Sequence, residues 1–296
     1  MDVREAVADR GPFARAAALV ALTKQRQSVL LLVTGVGAYA LSLPAGIRWP
    51  ELAVGTVALW LAVSGCTVLN MVLDRDIDAK MARTAGRPLP TGEVSPRVAT
   101  GFGLVLSLAG LVLAWSAGTV FGAVVTAGFA IDLGVYTAWL KRRTPLSIVF
   151  GGVSGGMPAL AGRVLAIGRV DLVGALLALG VLLWIPAHIL TLAMRRADEY
   201  REAGIPAWPC VYGPTATRRL IAASTVAGAV TLLSAGVLLR IHFVPLAVLA
   251  VLGICLSALA FAGLIRPSDR HDWVLFKAAS VYMAASFCCL VVGAAL

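Results

Sequence analysis

Residues 70–92 read NMVLDRDIDAKMARTAGRPLPTG, a polar stretch between two long apolar runs. Asn70, Asp74 and Asp78 stand at i, i+4 and i+8; if the preceding helix continues through them they drift only ~40° per step and share one face. That face presents oxygen ligands. Lys80, Arg83 and Arg87 follow, and Pro88 and Pro90 are expected to stop the helix. Clustered carboxylates repel one another, and the usual reason to keep them close is a hard divalent cation. With arginines beside it, the stretch reads as a Mg²⁺–diphosphate site.

The flanking runs set the class. The 296-residue chain is 59% hydrophobic and only 14% charged, with a mean hydropathy of +0.89, whereas a soluble domain carries about a quarter charged residues. Apolar stretches of roughly 18 residues or more mark spanning helices. Nine are expected, near 28–44, 52–73, 98–116, 118–139, 145–166, 171–194, 218–239, 243–264 and 273–294. The expected fold is an all-α polytopic membrane protein, nine transmembrane helices around a central cavity, in one domain over 1–296. Residues 1–15, charged and alanine-rich, read as a cytoplasmic interfacial lead-in.

The net charge of +10 could suggest nucleic acid, but its distribution excludes that partner. Of 25 Lys and Arg, all but Arg48, Arg163, Arg169 and Arg240 fall on the side of the N-terminus. This is the positive-inside asymmetry, and it predicts the N-terminus in the cytoplasm and the C-terminus on the opposite side. The five cysteines, at 66, 210, 255, 288 and 289, show neither a CxxC nor a disulfide framework.

Along the chain, Ser64, Gly65 and Thr67 are small residues that allow close helix packing in lipid. Spans three and four form a hairpin through 116–118. Asp132 lies nine residues before Lys141, hence ~13 Å from the end of its helix. An intramembrane carboxylate faces either an interior polar cavity or a hydrogen-bonding neighbour helix, and both readings stand. Tyr136 and Lys141-Arg142-Arg143 close this span; three basic residues there serve either topology or a site. A second acidic loop follows span six, where Asp198, Glu199 and Glu202 adjoin Arg195, Arg196 and Arg201. The two polar loops occupy corresponding places in two four-helix halves, with span nine left over. His188, after Pro186, lies ten residues before Asp198. Gly151, Gly152, Gly155, Gly156 and Pro158 make span five thin, which suits either close helix packing or the approach of a flat ligand.

Acidic clusters, basic residues and a lipid setting point to a substrate with a diphosphate head and an isoprenoid tail. Mg²⁺ would neutralise the departing diphosphate, and Lys and Arg would add charge-assisted hydrogen bonds. Ionisation leaves an allylic carbocation, so water must be excluded and an electron-rich acceptor held nearby. A transporter whose polar loops act as gates fits the topology as well, but gates do not need two acidic clusters flanked by arginines.

The stretch 70–92 also resembles the NxxxDxxxD motif of the UbiA superfamily of intramembrane prenyltransferases. YTAWLKRRTP and the 184–213 segment are similar to the protoheme IX farnesyltransferase (heme O synthase) branch. The likeness runs from about Leu22 to Gly213, and the last three helices match only in type. It implies a nine-helix UbiA fold in the plasma membrane of a prokaryote. Asn70, Asp74 and Asp78 would form the metal site, with Arg83, Arg87, Tyr136 and Lys141 on the diphosphate. Asp74, Asp78, Tyr136 and Lys141 would carry the catalysis. In the second loop Arg195-Arg196-Ala197-Asp198-Glu199-Tyr200 replaces a clear DxxxD, making Asp198 and Glu199 metal or diphosphate candidates and Arg196 a substrate contact. His188 would face the acceptor; Asp132, Lys24 and Arg26 complete the substrate-binding candidates.

What the resemblance implies is Mg²⁺-dependent farnesyl transfer from farnesyl diphosphate, or another isoprenoid diphosphate, to heme B. Three departures bear on the acceptor. GGMPALAGR carries Ala159, Ala161 and Arg163 where the family has proline, isoleucine and tryptophan; WIPAH replaces WQPPH; TKQR replaces TKPR. They leave room for another hydrophobic acceptor, such as an aromatic quinone precursor or a lipid alcohol.

Overall fold

The computed structural model describes residues 12–43 and 45–296. Twelve helices follow in order: α1 Pro12–Leu22, α2 Gln25–Ala40, α3 Trp49–Leu73, α4 Arg75–Lys80, α5 Pro96–Ala117, α6 Thr119–Leu140, α7 Ser147–Ile167, α8 Leu172–Arg195, α9 Ala197–Glu202, α10 Trp208–Leu238, α11 Phe243–Ile265 and α12 Asp269–Ala295. Among the described residues, eight of these are long and apolar enough to cross a membrane: α3, α5, α6, α7, α8, α10, α11 and α12. The expected first span is the shorter α2, 16 residues long, because the chain breaks before it. Lys24 takes a left-handed conformation there (φ 47°), and Ser28 Oγ bonds back to the Thr23 carbonyl at 3.0 Å. The expected lead-in over 1–15 lies largely outside the described residues.

Helix ends follow local chemistry. Ser95 caps α5, accepting from Val98 N at 3.3 Å, with Pro96 in the first turn, where its missing N–H costs nothing. Asp171 caps α8 through Gly174 N at 2.8 Å. Gly118 alone separates α5 from α6, which is the expected hairpin. Small residues set the closest crossings: a Cβ on Gly65 would lie 2.3 Å from Ser107 Oγ, and one on Gly110 would lie 2.4 Å from Ala62 N. Without a hydrophobic drive between helices in lipid, such approach supplies the packing.

Buried side chains gather in two large clusters. One, including Tyr39, Leu59, Phe121 and Val164, joins α2, α3, α6 and α7. The other, including Leu177, Trp184, Leu232, Leu249 and Leu290, joins α8, α10, α11 and α12. α2 packs on α7, and α12 returns to α2. Val105, Val112, Val251 and Ile254 are exposed, as expected for side chains that meet lipid rather than water.

Two spans depart from α-helical winding near one end. α6 widens to a π-helix over Ile131–Leu140 and α8 over Pro186–Leu190. Pro186 accounts for the second, since proline removes a backbone donor and the ladder shifts around it. Such widenings concentrate at functional sites. Here they carry Asp132, Tyr136 and His188.

Candidate active site

α3 and α4 are nearly one helix. Asp74 sits at the joint (φ −94°, ψ 3°), yet Asp74 N still reaches the Asn70 carbonyl at 2.9 Å and Asp78 N the Asp74 carbonyl at 2.8 Å. The i, i+4, i+8 register therefore survives the joint. The helix stops at Lys80, before the prolines expected to end it: Thr84 is buried and its Oγ1 donates to the Asp78 carbonyl at 2.8 Å. Asp74 and Asp78 are only 7% and 6% exposed, and buried carboxylates demand compensation.

Compensation comes from the end of α6 and from the loop after α4. Lys141 Nζ donates to Asp74 Oδ2, and Arg87 donates to Asp78 Oδ2 at 2.7 Å. Arg142 holds Asp76 through two bonds of 2.7 Å and also reaches the Leu73 carbonyl at 2.6 Å. Those hydrogen bonds pull the Asp76 carboxyl down to about 2. Burial works against the charge of Lys141, but Tyr136 and Asp74 beside it outweigh burial and hold it above the usual lysine range. Lys141 and Arg142 are thus tied to the acidic stretch, beyond any role in topology.

A cavity of about 200 Å³ opens beside these groups. Asp74, Asp78, Lys24, Arg83, Arg87, Lys141 and Tyr136 all face it. Lys24 and Arg83 have no carboxylate partner among the described residues. Burial, then the nearby Arg87, lowers Lys24 to about 8, so its environment favours an incoming anion. Tyr136 rests against Gly151, where a Cβ would come within 3.2 Å of the ring; this glycine makes room for the tyrosine.

Asn70 lies one turn deeper. Its Nδ2 donates to Asp132 Oδ2 at 2.6 Å, while Cys66 Sγ reaches the same oxygen at 3.2 Å and Ser154 Oγ reaches Asp132 Oδ1 at 2.9 Å. Asp132 follows the second of the two readings: it bonds to α3 and α7, and the cavity of about 200 Å³ that it lines with Leu31, Leu59, Phe129 and Met157 is mainly apolar rather than polar. Asn70 Oδ1 and Asp74 Oδ1 are buried without a hydrogen-bond partner among the described residues. Orphaned oxygens of this kind carry a desolvation penalty, and a hard cation removes it. Among the described residues no three His, Cys, Asp or Glu side chains converge as a metal cage. Asp74 and Asp78 with the Asn70 oxygen would offer a hard cation two carboxylates and an amide oxygen, its remaining positions left to water and phosphate.

The second loop is arranged differently. Asp198 is bonded to Arg201 and Glu199 to Arg196, each at 2.5 Å, and none of Asp198, Glu199 and Arg196 lines the polar cavity. Glu199 keeps Oε2 buried and unpartnered. What this loop contributes to the cavity is Tyr200, Ile205, Ala207 and Trp208. Ile205 and Ala203 pack on Ile77 and Met81 of the first loop, so an apolar clasp joins the two loops. His188 stacks between Trp184 and Phe276, at 4.6 and 4.7 Å between ring centroids, and its Nδ1 lies 3.1 Å from Ser280 Oγ; it does not line the polar cavity. The side chain of Arg26 lies outside the described residues.

Arg163 belongs to the far end of α7, sixteen residues or ~24 Å along the axis from Ser147 at the cavity. It pairs with Asp171 at 2.6 Å and with Ser42 Oγ at 3.0 Å. The loss of a tryptophan at 163 therefore has a local structural partner and no bearing on the diphosphate mouth.

A polytopic helical membrane protein with paired buried carboxylates, free cations and an adjoining apolar cavity is the class that fold and site define. The chain belongs to the UbiA prenyltransferase family, whose model matches residues 30–287. A protein named protoheme IX farnesyltransferase from Archaeoglobus fulgidus is 37% identical over 278 residues, covering 93% of this chain and 97% of that one. A protein of the same name from Korarchaeum cryptofilum is 44% identical over 208 residues, 70% of each chain. Among solved structures, one described as digeranylgeranylglyceryl phosphate synthase superposes with a TM-score of 0.80 at 18% identity, covering 95% of this chain and 99% of that one. A UbiA homolog from Archaeoglobus fulgidus bound to DMAPP and Mg²⁺ gives 0.68 at 15% identity, covering 93% and 99%. At these identities the superpositions establish the fold.

Proposed function

We propose that this chain transfers the farnesyl group of farnesyl diphosphate to a vinyl group of heme B, giving heme O. The observation that carries the donor half is the convergence of Asp74 and Asp78 with Lys24, Arg83, Arg87 and Lys141 around one cavity. The acceptor half is supported by relatives named protoheme IX farnesyltransferase that align over more than nine-tenths of the chain.

Asn70, Asp74 and Asp78 would hold Mg²⁺, through the unpartnered Asn70 Oδ1 and Asp74 Oδ1. Bound there, the cation would supply positive charge to the departing diphosphate. Lys141 and Arg87, already at the cavity with their carboxylate partners, donate to diphosphate oxygens as charge builds on them; Lys24 and Arg83 add two more cations. Together they favour breaking the C1–O bond of the farnesyl group. Tyr136 borders the polar cavity and packs on Gly151, which lines the apolar one, so its ring can shield the allylic cation from water. The vinyl carbon of the acceptor bonds to farnesyl C1. Water then adds its oxygen to the other vinyl carbon and releases a proton, completing the hydroxyethylfarnesyl group. Asp198 and Glu199 enter this scheme as ion-paired supports of the second loop.

The polar mouth would face the cytoplasm of a prokaryote, at its plasma membrane, with the C-terminus on the opposite side. Purified protein in detergent should release diphosphate from farnesyl diphosphate when heme B and Mg²⁺ are present, and should lose that activity in EDTA. Release unaffected by EDTA would count against the cation and its three ligands.

A further inference from the structure

We propose that Asp132 is a positioning residue that fixes which end of the Asn70 amide faces the cation site. The proposal rests on the reading of Asn70 as a cation ligand given above.

A side-chain amide has two ends of almost equal size and opposite chemistry. Only the oxygen binds a cation; the NH₂ end, turned toward one, would repel it. Asn70 therefore needs a neighbour that tells the two ends apart. A hydroxyl or a second amide cannot do so, because each donates as well as accepts. An acceptor-only group can.

Asp132 is placed to be that group. Its Oδ2 accepts from Asn70 Nδ2 at 2.6 Å, which leaves Asn70 Oδ1 as the end without a partner. Asp132 itself is held from two helices: Cys66 of α3 at 3.2 Å and Ser154 of α7 at 2.9 Å, the latter hydroxyl shared with the Gly151 carbonyl at 2.9 Å. No Lys, Arg or His pairs with Asp132 among the described residues. A carboxylate beside an apolar cavity with no cation partner is costly, and helix-to-helix bonding alone could be served by a neutral amide or hydroxyl. Control of the Asn70 amide is a task that specifically needs the carboxylate. The π-helical winding of Ile131–Leu140 is the local departure within which Asp132 sits, in register with Asn70 and Ser154.

The test is Asp132→Asn, together with the double variant in which Asn70→Asp is combined with Asp132→Asn, which transposes carboxylate and amide and keeps both volumes. Full-length protein in detergent is titrated with Mn²⁺ in the presence of the unreactive farnesyl thiodiphosphate, with bound Mn²⁺ read by electron paramagnetic resonance and folding by the thermal midpoint. Asp132→Asn is expected to weaken Mn²⁺ binding about tenfold, equivalent to ~1.4 kcal/mol, with the midpoint and the KM for heme B unchanged. The exchange should restore binding to within about threefold of the starting protein, because the carboxylate introduced at position 70 again has one oxygen tied by an amide and one free. Wild-type Mn²⁺ affinity in Asp132→Asn would overturn the proposal and leave Asp132 a helix-to-helix contact. If Asp132→Asn does not fold, the exchange decides alone: no recovery of Mn²⁺ binding overturns the proposal. Failure of the unmutated protein to bind Mn²⁺ would instead refute the cation reading itself.

Discussion

Lys141 Nζ donates to Asp74 Oδ2 across the ends of α6 and α3, while Asp74 Oδ1 stays buried and without a partner among the described residues. One carboxylate thus has one oxygen neutralised by a lysine and one free for a cation. The lysine, in turn, is held at the rim of the cavity with its charge maintained. Each partner prepares the other for a diphosphate that needs both.

That pairing separates two variants. Asp74→Asn should lose cation binding and reduce kcat at least ~10²-fold, the usual scale for removing one preorganised electrostatic contact. Lys141→Met should leave Mn²⁺ binding in place and reduce kcat by a similar factor, because only the diphosphate contact is lost. Steady-state kinetics beside Mn²⁺ titration tests the split; equal loss of Mn²⁺ binding in both variants would contradict it.

Gly151→Ala places a methyl 3.2 Å from the Tyr136 ring, closer than normal contact, so the ring must shift. A reduction of kcat of about 3–10-fold is expected, corresponding to ~0.7–1.4 kcal/mol of lost transition-state stabilisation. Thermal stability should hardly change, since Tyr136 borders a cavity and has room to move. An unchanged rate would mean that the position of Tyr136 is not critical.

His188 and Asp198 should prove silent for donor binding. His188 is packed in an aromatic stack away from the polar cavity, and the Asp198 side chain is 89% exposed. Asp198→Asn should keep kcat within about twofold. His188→Ala should leave the KM for farnesyl diphosphate unchanged; an effect confined to the heme reaction would assign it to the acceptor. A raised KM for farnesyl diphosphate in either variant would place that residue in the mouth after all.

Arg163→Met removes the partner of Asp171 at the opposite end of α7. Loss of a charged hydrogen-bonded pair of this kind costs about 1–2 kcal/mol. The thermal midpoint should fall with the KM for both substrates unchanged, as scanning fluorimetry and kinetics would report. A changed acceptor preference would revive position 163 as a determinant of specificity.

The spacing of Asn70, Asp74 and Asp78 and the basic residues around them are readable in the sequence because helical periodicity alone aligns them, and the structure keeps that register across the joint at Asp74. Tyr136 and Lys141 are legible at the end of their apolar span, their role on the diphosphate only through the resemblance, and they do meet the acidic stretch. Three features lie beyond sequence reasoning. The π-helical widening at 131–140 has no proline to announce it. The break at Thr23–Lys24 leaves α2 short of a full span while turning Lys24 into the cavity; the apolar run at 28–44 gives no hint of it. The second acidic loop has the right residue types, yet Asp198 and Glu199 each have an arginine three positions away, the helical spacing at which opposite charges meet. Local pairing ties up Asp198 and one oxygen of Glu199, and Tyr200 and Ile205 reach the cavity instead. An arginine at i−3 or i+3 is the available warning.

The most direct test is mass spectrometry of the products formed by the purified protein from farnesyl diphosphate and Mg²⁺, with heme B offered beside a panel of phenolic acceptors. The predicted result is a single new species with the mass of heme B plus one farnesyl group and one hydroxyl, and no prenylated phenol. A prenylated phenol with heme B left unmodified would contradict the proposed acceptor, even with the diphosphate site intact.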